Sequence, residues 1–129
     1  MNKFLGRDPA DEEFEWSETQ IQIYIAQELR KRGIIHASGM EGVHKSKISG
    51  HMAKLMGGAA GEPDLRIYLP NAHIEFIELK RSNGKLSAAQ KERIPLLQSL
   101  GFSVNVVYAK TPLDGWEQVE LIISQYLKT

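Results

Sequence analysis

Apolar residues recur every three or four positions in four stretches of the chain, a spacing that is typical of one buried face of an α-helix. Two of these stretches begin with a capping-box sequence, Ser17 with Gln20 and Ser87 with Gln90, which satisfies backbone N–H groups at a helix start. Pro95 falls inside the second of them and predicts a kink there. Helices are therefore predicted at about residues 18–32, 48–56, 87–100 and 114–126.

Alternation of apolar and polar residues, or a short apolar run, marks the strands. Residues 65–69 and 74–80 are joined by the turn sequence Pro70-Asn71 and predict a hairpin. The second of these strands is apolar on both faces, which favours a central position in the sheet. Further strands are predicted at about residues 33–37 and 102–108. The order helix, strand, small helix, two strands, helix, strand, helix predicts an α/β fold with a mixed four-stranded sheet flanked by helices.

Composition adds that the chain is one ordinary globular domain of 129 residues, with 25% charged and 42% hydrophobic residues. The absence of cysteine excludes a thiolate zinc site. No apolar run approaches the ~20 residues of a membrane span, and the first residues lack the apolar stretch of a signal peptide. We therefore expect a soluble cytoplasmic protein without a membrane partner, whose acidic residues 1–14 form a loose arm.

The 16 basic and 16 acidic side chains balance, but they are segregated along the chain. Residues 1–18 carry four more acidic than basic groups, whereas residues 30–54 and 80–93 carry an excess of five and of four basic groups. Two basic blocks on a small domain suit a polyanion such as nucleic acid, although a solvated mixture of surface charges is the plainer alternative. The candidate phosphate-binding residues are Lys45, Lys47, Lys54, Arg81 and Lys85.

The most informative residues are Gly61-Glu62-Pro63-Asp64-Leu65 and, beyond the hairpin turn, Glu78-Leu79-Lys80. Side chains two apart on a strand share a face, so Glu78 and Lys80 emerge together at the end of a buried strand. Asp64, at the start of the neighbouring strand, can face Glu78 across the hairpin. Two such carboxylates repel, and one takes up a proton unless a cation lies between them. Oxygen-rich clusters suit Mg²⁺ or Mn²⁺, and the carbonyl of Leu79 adds one more oxygen.

Two further polar residues, Glu18 and Gln90, occupy helix positions at which the apolar stripe predicts a hydrophobic side chain. Each has a plain alternative, since an acid in a first turn favours the helix dipole and Gln90 completes a capping box. Likewise, Glu78 and Lys80 alone could form a surface pair beside an ordinary Pro-Asp turn. Four polar groups directed from two helices and a hairpin towards one place nevertheless indicate a functional site.

Together these residues resemble the virus-type replication-repair nuclease (VRR-NUC) domain, a branch of the PD-(D/E)xK nuclease superfamily. The resemblance rests on the ordered set Glu18, Gly61-Glu62-Pro63-Asp64-Leu65, Glu78-Leu79-Lys80 and Gly84-Lys85-Leu86-Ser87-Ala88-Ala89-Gln90. It runs from about Glu18 to Tyr108, and the length is similar to that of the stand-alone phage and bacterial members. Glu62 departs from the family pattern, in which an apolar residue more often precedes the proline.

The resemblance implies a restriction-endonuclease-like αβββαβ core and metal-dependent hydrolysis of phosphodiester bonds. It implies that Mg²⁺ or Mn²⁺ is held by Asp64 and Glu78, with help from Glu18 and the carbonyl of Leu79. Lys80 would stand beside the attacking water, where it orients or deprotonates the water and offsets developing charge. We expect Gln90 to position Lys80 or the water rather than to bind the metal.

A homodimer that cuts branched DNA, such as four-way (Holliday) junctions, is the expected form, located in the cytoplasm or nucleoid of a bacterial host cell. Symmetric cleavage of a junction needs two catalytic centres related by a two-fold axis. Residues 38–60 are longer than a connection between two strands requires, and Met40, Met52 and Met56 suit an adaptable interface. The alternatives are a flap nuclease, a sequence-specific duplex nuclease and a catalytically silent nucleic-acid-binding module.

Overall fold

A computed structural model describes residues 2–39 and 50–127 of the chain. Its elements are α1 (Glu18–Lys31), β1 (His36–Ser38), α2 (Gly50–Leu55), β2 (Leu65–Leu69), β3 (His73–Arg81), α3 (Ala88–Ser99), β4 (Ser103–Ala109) and α4 (Pro112–Leu127). This is the predicted order of helices and strands, and α1, β1 to β3, α3 and β4 form the expected αβββαβ core. Met40, Lys45 and Lys47 lie outside the described residues.

The sheet has the strand order β1-β2-β3-β4. β2 runs antiparallel to both β1 and β3. β4 runs parallel to β3, because α3 carries the chain back over the sheet. The predicted mixed sheet is therefore confirmed. β3 is a central strand, as predicted, and its residues 75–80 are all buried.

Helices cover both faces of the sheet. On one face, α1 and α4 contact each other and the sheet, and apolar residues of α1 such as Ile21 and Ile25 pack with Ile77 and Leu79 of β3. On the other face, α3 covers a smaller apolar cluster that contains Phe76. Since side chains alternate along a strand, Glu78 and Lys80 share the Phe76 side and face α3. Within the described part of the chain, no helix has the length and apolar character needed to cross a membrane.

One predicted strand boundary is wrong, and one predicted helix is exposed in its described part. The strand expected at residues 33–37 begins only at His36, because the backbone N–H of Ile34 donates to the Leu29 carbonyl at 3.0 Å and completes the end of α1. The short helix expected at residues 48–56 spans Gly50–Leu55, and none of its residues is buried. Its apolar residues do not face the sheet, since Leu55 is 67% exposed.

The N-terminal residues do not fit the loose acidic arm expected for residues 1–14. Phe4 and Trp16 are buried in the larger apolar cluster, and the two rings lie 6.0 Å apart. The backbone N–H of Leu113, in α4, donates to the Pro9 carbonyl at 3.1 Å. The acidic charge of this segment lies on its exposed side, while its aromatic residues bind it to the core.

Candidate active site

The Pro63-Asp64 sequence stands at the entry to β2, beside the last residues of β3. Leu65 pairs with Ile77 in the antiparallel ladder, which brings the preceding Asp64 level with Glu78. The Asp64 carboxylate accepts a hydrogen bond from the backbone N–H of Leu79 at 2.8 Å. The hairpin register therefore brings the two acidic residues together, as the sequence predicts.

Glu78 is almost fully buried, with 1% of its surface exposed. Its Oε2 accepts a hydrogen bond from Gln90 Nε2 at 2.7 Å and lies 3.7 Å from Lys80 Nζ. Its Oε1 has no hydrogen-bond partner and is the one buried side-chain polar atom in residues 2–39 and 50–127 that lacks one. A buried acceptor without a partner costs about 1–3 kcal/mol and is rare in folded proteins, so this oxygen calls for a ligand.

The electrostatics of the pair follow from burial and from the second carboxylate. Burial, and then the charge of Asp64, raises the pKa of Glu78 from 4.5 to about 8. Burial also raises the pKa of Asp64, partly opposed by the hydrogen bond from Leu79 N–H. Glu18 adds negative charge that raises the pKa of both carboxyl groups. At neutral pH the pair therefore holds a proton unless a cation replaces it.

Gln90 completes a helix cap and also contacts the acidic pair. Its Oε1 accepts from the backbone N–H of Ser87 at 2.8 Å, and its own N–H donates to Ser87 Oγ at 3.2 Å, which completes the capping box of α3. The remaining amide nitrogen donates to Glu78. Because the cap fixes the amide oxygen, the amide nitrogen is left pointing at the carboxylate. The side chain thus contacts Glu78, whereas the sequence suggested an action on Lys80 or on water.

The loop that carries Asp64 is packed against the first turn of α3. Gly61 has a φ of +80°, and a Cβ atom there would lie 2.4 Å from the Ala89 carbonyl oxygen. Glu62, the residue that departs from the family pattern, forms an ion pair with Arg93 Nε at 2.8 Å. Glu62 is thus engaged with α3. Sequence reasoning missed Arg93, because 31 positions separate the partners and no periodicity links them.

The oxygen atoms present fit a hard divalent cation. Asp64, Glu78 and the carbonyl of Leu79 supply oxygen donors only, which is the chemistry that Mg²⁺ and Mn²⁺ select, and Glu78 Oε1 is without a partner. In the described part of the chain, no three carboxylate or imidazole side chains lie close enough to form a metal-binding group. The carboxylate pair is therefore the core of the site, and a direct contact from Glu18 stays a prediction.

The predicted phosphate-binding residues fall in two places. Arg81 is the last residue of β3, and Lys85 is exposed in the turn that follows it, so both lie on the chain just after Lys80. Lys54 is exposed on α2. Lys45 and Lys47 lie outside the described residues.

A second buried glutamate, Glu75, was not singled out from the sequence. It is fully buried near the other end of β3 and accepts hydrogen bonds from Ser103 Oγ at 2.8 Å and from Asn105 Nδ2, with His73 Nε2 3.2 Å away. His73 also stacks on Tyr126 of α4. An acidic residue in a strand buried on both faces was the available signal, but its partners are supplied by other elements.

Comparisons with known proteins show the family and the fold of the chain. A sequence model of the VRR-NUC domain matches residues 16–111, a range that includes Glu18, Asp64, Glu78, Lys80 and Gln90. A solved VRR-NUC domain is 25% identical, covers 84% of this chain and 96% of its own, and superposes with a TM-score of 0.55. A solved VRR-NUC domain protein is also 25% identical, covers 88% of this chain and 90% of its own, and gives a TM-score of 0.61. No curated protein matches the chain significantly.

Proposed function

Because the chain belongs to the VRR-NUC domain family, a family of nucleases, we propose that it is a metal-dependent endonuclease that hydrolyses phosphodiester bonds in branched DNA, such as four-way (Holliday) junctions. The observation that carries the proposal is the Glu78 carboxylate. It is buried beside Asp64 and Lys80, and one of its oxygens has no partner. This is a costly arrangement for a fold to keep unless the oxygen is used.

Phosphodiester hydrolysis requires the barrier to be lowered by something like 20 kcal/mol. A Mg²⁺ or Mn²⁺ ion held by Asp64, Glu78 and the Leu79 carbonyl, with Glu18 nearby, would supply positive charge at the phosphate and lower the pKa of water. Without a cation, the carboxylates would repel the phosphate. One divalent cation would thus neutralise both the carboxylates of the site and the phosphate of the substrate.

The other residues act through position. Lys80 is 9% exposed and its ammonium lies next to Glu78, so it can orient the attacking water and donate to a phosphate oxygen as negative charge develops. Gln90 holds Glu78 Oε2 and thereby leaves Oε1 for the cation. The cap of α3 and the contact of Gly61 with Ala89 hold Gln90 in turn.

The substrate class and the dimer are the finer part of the proposal. Lys54, Arg81 and Lys85 would neutralise phosphates, which makes binding steeply dependent on salt. One catalytic centre cuts one strand, so paired cuts in a junction call for two copies of the chain related by a two-fold axis. The half-exposed Met52 and the exposed Leu55 and Met56 offer an apolar surface for that contact.

A cleavage assay tests this function. Labelled duplex, single-stranded, flap and four-way-junction DNA are each incubated with Mg²⁺, with Mn²⁺ or with EDTA, and Glu78→Gln protein from the same preparation serves as the control. We expect metal-dependent cleavage that is fastest on the junction, and light scattering that gives the mass of a dimer at micromolar concentration. Faster flap cleavage by a monomer would replace the junction assignment, cleavage at one duplex sequence would indicate a restriction-like enzyme, and binding without cleavage would indicate a silent module.

A further inference from the structure

A groove of about 700 Å³ runs between α1 and β1 and ends at the candidate active site. Asp64 and Pro63 form part of its lining, so one of the two candidate metal-binding carboxylates borders the groove. Among the described residues, β1 is an edge strand that pairs only with β2. None of the residues that line the groove belongs to the apolar stripe by which α1 packs on α4.

The α1 wall of the groove has a regular composition. Thr19, Ile23, Ala26 and Arg30 follow one another at intervals of four, three and four residues, which places them on one face of the helix. With a rise of 1.5 Å per residue, Thr19 and Arg30 are about 16 Å apart along the helix. Thr19 lies in the first turn of α1, next to Glu18, and Arg30 lies in the last turn.

The size and chemistry of the groove decide what it can hold. Pockets of about 300–1,000 Å³ enclose one small organic molecule, so this groove takes one or two nucleotides and is far too small for a duplex. Ile23 is 42% exposed and, with Ala26, offers an apolar surface on which a base can lie. Arg30 provides a cation for a phosphate. Proteins hold single strands with cations that contact the backbone and with side chains against which the bases lie, and in this groove those side chains are aliphatic.

We propose that this groove binds unpaired nucleotides of the strand that is cut, with a base against Ile23 and Ala26 and a phosphate at Arg30. The inference rests on the proposed nuclease function and adds a requirement to it, namely unpaired nucleotides on one side of the scissile phosphate. A base that leaves a duplex costs a few kcal/mol of stacking and pairing, and least where the duplex is already interrupted. The groove therefore selects DNA at branch points, where strands separate.

Two variants of the α1 face test the groove. Ala26→Glu introduces bulk and negative charge into it, and Gln27→Glu places the same side chain at the next, exposed position as the matched control. Arg30→Ala removes the phosphate contact, and Lys3→Ala removes an exposed cation elsewhere as its control. Circular dichroism verifies folding. Because Arg30 is exposed, Arg30→Ala keeps the test decisive even if Ala26→Glu unfolds.

Two substrates separate the groove from the catalytic centre. Bis(p-nitrophenyl) phosphate is a small diester that needs the catalytic cluster only. Labelled duplexes with zero, one, two or four unpaired nucleotides beside the cleaved bond need the groove as well. We expect wild-type cleavage to rise with the unpaired tract up to two nucleotides. We expect Ala26→Glu and Arg30→Ala to lose roughly tenfold in kcat/KM on the unpaired substrates, equivalent to about 1.4 kcal/mol of lost binding, and far less on the small diester. The two controls should behave as wild type.

The outcomes distinguish this inference from the proposed function. If both groove variants cut the unpaired substrates as fast as wild type does, the groove assignment is wrong and the nuclease function stands. Equal loss on paired and unpaired DNA would also overturn the assignment, because the groove would then serve duplex binding in general. If wild type hydrolyses neither the small diester nor any DNA with Mg²⁺ or Mn²⁺, the proposed function itself fails.

Discussion

Two glutamates of β3 lie three residues apart, on opposite faces of the same strand, and both are buried. Glu75 accepts hydrogen bonds from Ser103 and Asn105 and lies next to His73, so both of its oxygens have partners. Glu78 has Gln90 and Lys80 beside one oxygen, whereas its other oxygen accepts no hydrogen bond. The same side chain in the same strand thus stabilises the sheet at one end and is left incompletely satisfied at the other.

The difference shows how a buried carboxylate can be assigned a role from its partners. Removing a carboxylate from water costs several kcal/mol, and hydrogen bonds from the protein offset that cost at Glu75. At Glu78 the hydrogen bonds offset only part of the cost, and the neighbouring Asp64 makes the ionised form still less favourable. The incomplete set of partners, rather than the burial, makes Glu78 the candidate functional residue.

The largest effects are expected from the carboxamide variants of the acidic residues. Glu78→Gln and Asp64→Asn should each lower kcat at least ~10³-fold in a single-turnover assay at saturating metal, because they remove anionic oxygen ligands at nearly constant volume. Their free energy of unfolding, measured in urea, should stay level or rise, since a repulsion has been relieved. Metal-dependent activity that survives in either variant would disprove the site assignment.

Glu75→Gln is the matched control and should give the opposite result. Its amide NH₂ would replace an oxygen that accepts hydrogen bonds, so the free energy of unfolding should fall by about 1–3 kcal/mol. Cleavage per folded molecule should stay within about threefold of wild type, as expected for a side chain without a transition-state contact. Loss of turnover without loss of stability would mean that the two glutamates have similar roles, and the comparison would fail.

The basic neighbours of the two glutamates extend the comparison. Lys80 and His73 each lie two residues from a buried glutamate and on its face of the strand. Lys80→Ala should lower kcat by roughly 10²-fold while calorimetry finds metal affinity little changed, because the ammonium serves water and transition state. His73→Ala should leave kcat near wild type. A collapse of metal affinity in Lys80→Ala would make Lys80 a structural residue.

A smaller effect is expected at the helix caps. Gln20 in α1 and Gln90 in α3 each complete a capping box of the same type. Among the described residues, only Gln90 is also hydrogen-bonded to Glu78. Glutamate also serves in a capping box, so Gln20→Glu and Gln90→Glu should both keep their helices. Gln90→Glu should lose about 10- to 100-fold in activity, because a carboxylate cannot donate to Glu78 and repels it. Equal activities of the two variants would show that Gln90 serves only as a cap.

The last prediction concerns the pH dependence of the free energy of unfolding and involves no measurement of turnover. Because the pKa of Glu78 rises from 4.5 to about 8 on folding, the folded protein keeps a proton that the unfolded chain has released between these values. The free energy of unfolding in EDTA should therefore fall as pH rises from about 5 to about 8. Glu78→Gln should flatten that slope, and Glu75→Gln should keep it. Urea titrations at pH 5.5 and 8.5 provide the measurement, and a slope that survives in Glu78→Gln would contradict the assignment.

Periodicity was enough to predict the order of the elements and the central position of β3. The same alternation placed Glu78 and Lys80 on one face, and the hairpin placed Asp64 opposite Glu78. Where a prediction from local sequence was wrong, contacts with other elements determined the local structure. The apolar pair Ile34 and Ile35 reads as a strand, but Ile34 completes the end of α1 instead.

Contacts between distant residues were not predictable from spacing. The partners of Glu75 lie 28 and 30 positions away, and the close contact of Gly61 with Ala89 joins a loop to a helix across the hairpin. The many acidic residues of segment 1–14 led to the prediction of a loose arm. That prediction overlooked Phe4, which is buried in the larger apolar cluster. These contacts depend on where α3, β4 and α4 return to the sheet, which no local pattern encodes.

The packing of the N-terminal segment against α4 determines where the boundaries of a recombinant fragment of this protein should lie. The family match spans residues 16–111, whereas Phe4 and Trp116 lie outside that range and are buried in the same apolar cluster. Losing one buried aromatic ring costs about 3–5 kcal/mol, a large part of the stability of a small domain. An expression clone trimmed to the matched range would retain every candidate catalytic residue yet expose the outer side of α1, and its product would be expected to aggregate. A useful recombinant fragment therefore begins before Phe4 and extends through α4.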